Sequence, residues 1–159
     1  MAEQRDLKQA QVAFATLCEM LNENGWKYDA NPEKLAVSCG VRGDDLPIEL
    51  VIDVNADRQL VTLMSKLPYA IPEDKRVDVA VAISAINYAM VDGSFDYNFL
   101  TGSIIFRMTT SFKGSLISKK VYEYMVLLSC KMVDDYNDKI LMFSKDKLSL
   151  EDLLKVINE

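Results

Sequence analysis

Apolar residues recur at helical spacing near the start of the chain, where Leu7, Ala10, Phe14, Leu17, Cys18 and Leu21 share one side of a 3.6-residue repeat. They predict an amphipathic helix over residues 3–24. Asn24 and Gly25 stop it, because glycine tolerates the left-handed conformation that closes a helix. The period then falls to two. Leu35, Val37, Cys39 and Val41 alternate with Ala36, Ser38, Gly40 and Arg42. Ile48, Leu50, Ile52 and Val54 alternate with Glu49, Val51, Asp53 and Asn55, and a third run covers residues 59–67. Turn residues separate the runs: Gly43, Asp44 and Asp45, then Asn55, Ala56 and Asp57. The pattern is that of three strands in an antiparallel meander with one face wetter than the other.

Leu67 and Pro68 open a stiff connection, and Pro72 suits the first turn of a helix over residues 72–90, since its missing N–H is not needed there. Asp92 and Gly93 end that helix. Residues 95–99 and 104–112 read as a hairpin with Thr101 and Gly102 in the bend. Ser118 is placed to cap a long helix reaching Phe143, with Val121, Met125, Leu128, Met132, Tyr136, Ile140 and Phe143 as its apolar stripe. Ser149 and Asp152 make a capping box for a short last helix carrying Leu150, Leu153, Leu154 and Ile157. The order is helix, three strands, helix, two strands, helix, helix. It predicts an α+β fold around an antiparallel sheet in a single domain, residues 1–159.

Composition narrows the chemistry. The 159 residues include 24 acidic and 18 basic side chains, a formal charge of −6, so a bulk field for nucleic acid is absent. There is no histidine, which removes histidine acid–base catalysis and histidine metal sites. Cys18, Cys39 and Cys130 form no CxxC pair and read as small buried hydrophobes. No apolar run is long enough for a membrane span, and the N-terminus lacks the apolar core of a signal peptide, so a cytoplasmic setting is expected.

The carboxylate pairs Asp44–Asp45, Glu73–Asp74, Asp134–Asp135 and Glu151–Asp152 are better explained as turn residues and helix N-terminal charges than as acid–base couples. Ser103, Ser111, Ser115 and Ser118 lie near Lys113, Lys119 and Lys120, but a serine–lysine nucleophile needs a buried neutral lysine and these segments are polar. Phosphate-cradling glycine loops are missing. Phe95, Tyr97, Phe99 and Phe106 lack the basic surround of an RNA-stacking sheet. No catalytic residue, cofactor site or metal site is therefore expected. Met125, Met132 and Met142 with Tyr122 and Tyr124 make either an adaptable binding surface or core filling.

About the last two thirds of the chain carries a resemblance. Residues 63–69 (LMSKLPY) lead into a helix rich in small residues with Asn87, then Asp92, Gly93, Phe95 and Asp96, then Gly102, Phe106 and Arg107. This order is similar to the YbjN family, proposed as bacterial sensory-transduction regulators, over roughly residues 60–159. The resemblance implies a fold like that of the type III secretion chaperones, which are small, acidic, mostly homodimeric and non-enzymatic. It carries no catalytic residues to this chain, and Asp92 to Arg107 are expected to be structural. Arg107 is expected to meet Asp96 across the hairpin.

The functional expectation is a non-enzymatic adaptor, chaperone-like or regulatory protein that binds another protein or peptide and forms a homodimer, without nucleic acid or membrane as partner. A small-ligand sensor and an enzyme of unrecognised type are the alternatives. The helix over residues 72–90 is apolar on two sides. Val77, Ala80 and Asn87 lie on one stripe and Val79, Ile83, Ile86 and Met90 on another, so it is the expected dimer helix unless the C-terminal helices cover its second side. Val51, Val61 and Leu63 are expected on a mixed sheet face suited to a partner peptide, unless the same helices bury it.

Overall fold

The computed structural model describes residues 4–158. The expected helix start at Glu3 and the outermost residues of the single-domain reading, 1–3 and 159, lie outside them. The elements run α1 (Gln4–Glu23), β1 (Tyr28–Asn31), β2 (Ala36–Arg42), β3 (Pro47–Asn55), β4 (Leu60–Ala70), a 3-10 turn (Glu73–Lys75), α2 (Arg76–Ala89), β5 (Ser94–Tyr97), β6 (Ser103–Ser111), α3 (Lys119–Ser144) and α4 (Leu150–Ile157). The fold is α+β, with a six-stranded antiparallel sheet in the order β1-β2-β3-β4-β6-β5.

The strands alternate as their period-two pattern requires. Val37 and Cys39 on β2, Ile48, Leu50, Ile52 and Val54 on β3, and Ile104, Phe106 and Met108 on β6 are buried on one face. That face receives α1 over β3, α3 over β3, β4 and β6, and α2 against β5. Among the described residues, no helix packs on the other face of the sheet. The core is therefore a single layer between sheet and helices, with α4 packed on α2 and α3.

β1 is a fourth strand before α2 that the hydrophobic pattern does not announce. Its four residues, Tyr28 to Asn31, are mostly polar and exposed, so burial leaves no alternating signature on them. They are strand because they pair with β2 in register, Tyr28 opposite Cys39 and Asn31 opposite Ala36. The turns after β1 and β3 use one device. Asn31 Oδ1 accepts the Lys34 N–H at 3.0 Å and Asn55 Oδ1 accepts the Arg58 N–H at 2.8 Å. Each turn ends on a residue in the left-handed region, Leu35 (φ 51°) and Gln59 (φ 53°).

β4 continues past Leu67 to Ala70 instead of ending at the proline. Its pairing with β6 is irregular between Lys66 and Ala70, and Pro68, which has no amide hydrogen to donate, stands in that interval.

Ser118 caps α3 as expected, accepting the Val121 N–H, and Ser149 caps α4, accepting the Asp152 N–H at 3.0 Å. The buried face of α3 is rotated from the expected stripe. Tyr122, Met125, Val126, Ser129, Val133, Asn137, Ile140 and Ser144 face inward, while Val121 is exposed. Polar Ser129, Asn137 and Ser144 hide this stripe from a hydrophobicity reading. Tyr122 is core: its hydroxyl donates to the Ala13 carbonyl at 2.8 Å and ties α3 to α1. Of the methionine–tyrosine set, Met125 is also core, whereas Tyr124 and Met142 are exposed.

Candidate functional site

Several of the groups that could carry acid–base or nucleophilic work are engaged structurally. Asp134 Oδ1 accepts the Asp44 N–H at 2.8 Å, joining α3 to the β2–β3 turn. Glu151 and Asp152 lie in the first turn of α4, where the helix dipole favours them. Lys119 reaches Glu23 at 2.6 Å and Glu19 at 3.1 Å, and Lys120 reaches Glu123 at 2.7 Å. The hydrogen bonds that these two ammonium groups donate, to Glu23 and Glu123 respectively, hold them above the ordinary lysine range, the opposite of what a serine-activating base requires.

All three cysteines are free thiols. Cys39 is buried, and Cys18 and Cys130 are half-buried. Burial pushes Cys39 and Cys130 up to about 11, so each thiol stays neutral and unreactive near neutral pH. Among the described residues, no three histidine, cysteine, aspartate or glutamate side chains come together as a metal site would need. None of the described helices is long and apolar enough to cross a membrane.

The motif residues Asp92, Gly93, Phe95, Asp96, Gly102, Phe106 and Arg107 converge on the β5–β6 hairpin and its anchors. Gly93 (φ 76°) lies against the Phe106 ring, where a Cβ would overlap it, and Gly102 (φ 74°) lies against the Ile71 backbone. Phe95 and Phe106, opposite in register, meet edge to face with centroids 5.1 Å apart. Asp92 accepts the Tyr124 hydroxyl at 2.5 Å. Arg107 Nε lies 2.8 Å from Asp96 Oδ2, a diagonal contact, since Arg107 is opposite Ser94 and Asp96 opposite Ile105.

Asn87 belongs to this assembly too. Its Oδ1 accepts the Phe95 N–H at 2.8 Å and its Nδ2 donates to the Phe95 carbonyl at 3.0 Å. The amide thus occupies the backbone N–H and carbonyl of Phe95 on edge strand β5, where another chain could otherwise pair.

The residues expected at a dimer helix divide. Val79, Ile83 and Ile86 are buried in the monomer core, with Ala82, and cannot form an outer surface. Ala80, Asn87 and Met90 are half-buried. Val77 is 63% exposed and begins a second face of α2 that continues through Val81, Ser84 and Tyr88, the last 94% exposed. Only Val77 and Ala80 of the expected set line this outer face. The face forms the floor of an open groove of about 740 Å³, completed by Phe99 and, from α4, Leu154 and Ile157. Val81 and Tyr88 follow Val77 by four and eleven residues, helical spacing that the sequence contained. Phe99 and Leu154 join only in three dimensions. A neighbouring cavity of about 530 Å³ is lined by Val81, Phe143, Leu148 and Leu150 together with Asp78, Asp146 and Lys147.

The expected partner face of the sheet needs correction. Val61 and Leu63 are fully buried, and only Val51 is on the open face, 44% exposed. The cause is register. β3 and β4 pair Ile52 with Leu63 and Val54 with Val61, so Val61 and Leu63 share the core side, while Val51 sits opposite Met64. The four-residue turn between Asn55 and Leu60 sets this pairing, and a one-residue difference exchanges the faces. The open face presents Val51, Asp53, Thr62, Met64, Lys66, Ile105, Arg107 and Thr109.

No protein-family model matches the chain, and no curated protein matches it by sequence. Among solved structures it is similar to the crystal structure of YbjN, a proposed transcription regulator from E. coli, with a TM-score of 0.55 and 12% identity. The match covers 76% of this chain and 85% of that one, and it shows a YbjN-like fold.

Proposed function

We propose that this protein is a non-enzymatic adaptor or regulator that works by binding protein, and that it is a homodimer. One observation carries the reading: a chain with a closed core leaves an apolar groove open along α2, with Val77, Val81, Tyr88, Phe99 and Leu154 on it. The chemistry agrees, since Asp134, Lys119 and Lys120 are held in structural contacts and Cys39 and Cys130 are kept neutral by burial. Likeness to YbjN, a proposed transcription regulator, supports a regulatory or adaptor role, and a chaperone-like use of the fold falls within the same proposal. A cytoplasmic setting belongs to it as well, supported by three free thiols. The test is light scattering on the wild-type chain and on Val81→Asp, together with pull-downs from source lysate. The expected result is a wild-type dimer and a stoichiometric partner that Val81→Asp weakens or loses while staying folded. A wild-type monomer that retains no protein, or turnover of a phosphoester, ester or peptide substrate, overturns the reading.

A second reading, a small-ligand sensor, is favoured by the cavity of about 530 Å³ beside Phe143 and Leu148, which combines apolar lining with Asp78 and Lys147. Native mass spectrometry of the freshly purified protein decides it by the presence or absence of a co-purified mass.

A further inference from the structure

We propose that α4 is a displaceable strap: it occupies in cis a seat on α2 and α3 that an amphipathic helix of a partner protein takes in its place. The inference rests on the protein-binding part of the reading above and names the form of the partner. It holds whether or not two copies of the chain pair. The occupant can be named because one is already seated. α4 places Leu150, Leu153, Leu154 and Ile157 at positions i, i+3, i+4 and i+7, the spacing with which an amphipathic helix lies in an apolar groove. It packs on α2 and α3 in that manner, with Leu153 fully buried as its anchor.

The attachment is slight. Leu153 is the one residue of α4 that is fully buried, while Leu150, Leu154 and Val156 remain about two-fifths exposed. The polar side chains of the segment bond within it. Ser149 caps Asp152, Lys155 reaches Glu151 and Asp152, and Asn158 donates to the Leu154 carbonyl. Among the described residues, no side-chain hydrogen bond or ion pair joins α4 to α2 or α3. Eight residues are too few for a helix to persist in water by itself, so α4 is ordered only while docked. The link before it is held separately. Asp146 turns the chain in the left-handed region (φ 57°), and its carboxylate binds Lys75 Nζ at 2.6 Å, next to the start of α2. A pinned turn followed by a helix with one buried anchor lets that helix leave while the rest of the core stays closed.

The seat is longer than its occupant. The cavity of about 530 Å³ lies at the N-terminal end of α4, beside Leu148 and Leu150, and the groove of about 740 Å³ lies along its C-terminal half, beside Leu154 and Ile157. Val81 lines both, so the two spaces adjoin on α2 and α4 stands between them and the solvent. A partner helix one or two turns longer than α4 fills the seat and reaches Val81 and Phe143 as well, contacts by which it outcompetes the resident helix.

The experiment is hydrogen exchange and urea unfolding on the full chain and on Leu153→Ala and Leu153→Asp, with a fluorescein-labelled peptide of residues 147–158 as the probe. Wild-type amides 153–157 are expected to be at least about 100-fold less protected than the centre of α3. Both variants are expected to strip protection from α4 alone and to share one urea midpoint, because either substitution costs no more than the docking of α4. The peptide is expected to bind Leu153→Asp at least about 10-fold more tightly than wild type, whose own α4 competes at the ~1 mM effective concentration of a tethered segment. Protection in α4 equal to that in α3, or a midpoint much lower for Leu153→Asp than for Leu153→Ala, makes α4 an integral part of the core and overturns the strap. A peptide that binds neither protein at about 1 mM overturns the exchangeable seat. Either failure leaves the reading above standing on the outer groove, whereas a chain that retains no protein in pull-downs removes the partner even where α4 opens.

Discussion

Among the described residues, nothing covers the outer side of α2 or the open face of the sheet, yet the two are made of different residues. α2 presents Val77, Val81 and Tyr88 beside Phe99 and Leu154, with no charge among the groove residues. The sheet presents Thr62, Lys66, Arg107 and Thr109 among single apolar residues such as Val51, Met64 and Ile105, and it satisfies its own charge through the Arg107–Asp96 pair. Scattered apolar residues on a polar face are ordinary surface, whereas contiguous ones mark a contact. The difference moves the proposed binding surface from the sheet, where the alternation in the sequence had suggested it, to the helix.

The strongest way to break this comparison is to test the sheet's two sides against each other. Leu63→Ala removes fully buried side-chain volume and is expected to cost about 2–5 kcal/mol in chemical denaturation. Val51→Ala on the open face is expected to change stability by no more than about 0.5 kcal/mol. Equal costs would mean that the face carrying Val51 is covered after all.

The covered side has a pH signature of its own at alkaline pH. Burial holds Cys39 and Cys130 protonated up to about 11, above the ordinary thiol value of about 8.5 that each regains on unfolding. A raised folded value means that the native state keeps its proton while the unfolded chain loses it. The contribution is therefore complete below pH ~8.5 and is lost as pH rises toward about 11. Thermal melts between those limits are expected to fall, and Cys39→Ala with Cys130→Ala is expected to flatten the decline. An unchanged slope in the double variant would assign it elsewhere.

A smaller effect concerns the inner side of α2. Asn87→Ala leaves the Phe95 N–H and carbonyl without their amide partner and is expected to cost about 1–3 kcal/mol in urea unfolding. It is also expected to promote aggregation by opening the β5 edge. The smallest effect belongs to the open sheet face. Arg107 and Asp96 are partly exposed, so Arg107→Ala is expected to cost roughly 0.2–1 kcal/mol, less at high salt, where the pair is screened. A loss of partner binding with unchanged stability would make Arg107 a contact residue and return the sheet face to consideration.

The sequence by itself determined the α+β order, the caps at Ser118 and Ser149, and which residues of β2 and β3 alternate toward the core, because those properties are written in local periodicity and single-residue chemistry. It also showed that α2 is apolar on two sides. Tertiary structure alone decided the rest. β1 exists only through its pairing with β2, since four mostly polar, largely exposed residues have no alternating burial pattern to display. Val61 and Leu63 became core through the register between β3 and β4, which a turn sets and a hydrophobicity count cannot distinguish from the opposite phase. The inward stripe of α3 includes Ser129, Asn137 and Ser144, polar residues whose burial depends on what packs above them. Which side of α2 stays open was settled by where the sheet and α4 came to rest: Val79, Ile83 and Ile86 met the core, and Val77, Val81 and Tyr88 met nothing that covers them. Local patterns specify that an apolar face must find a neighbour, and only the packed chain specifies which face already has one.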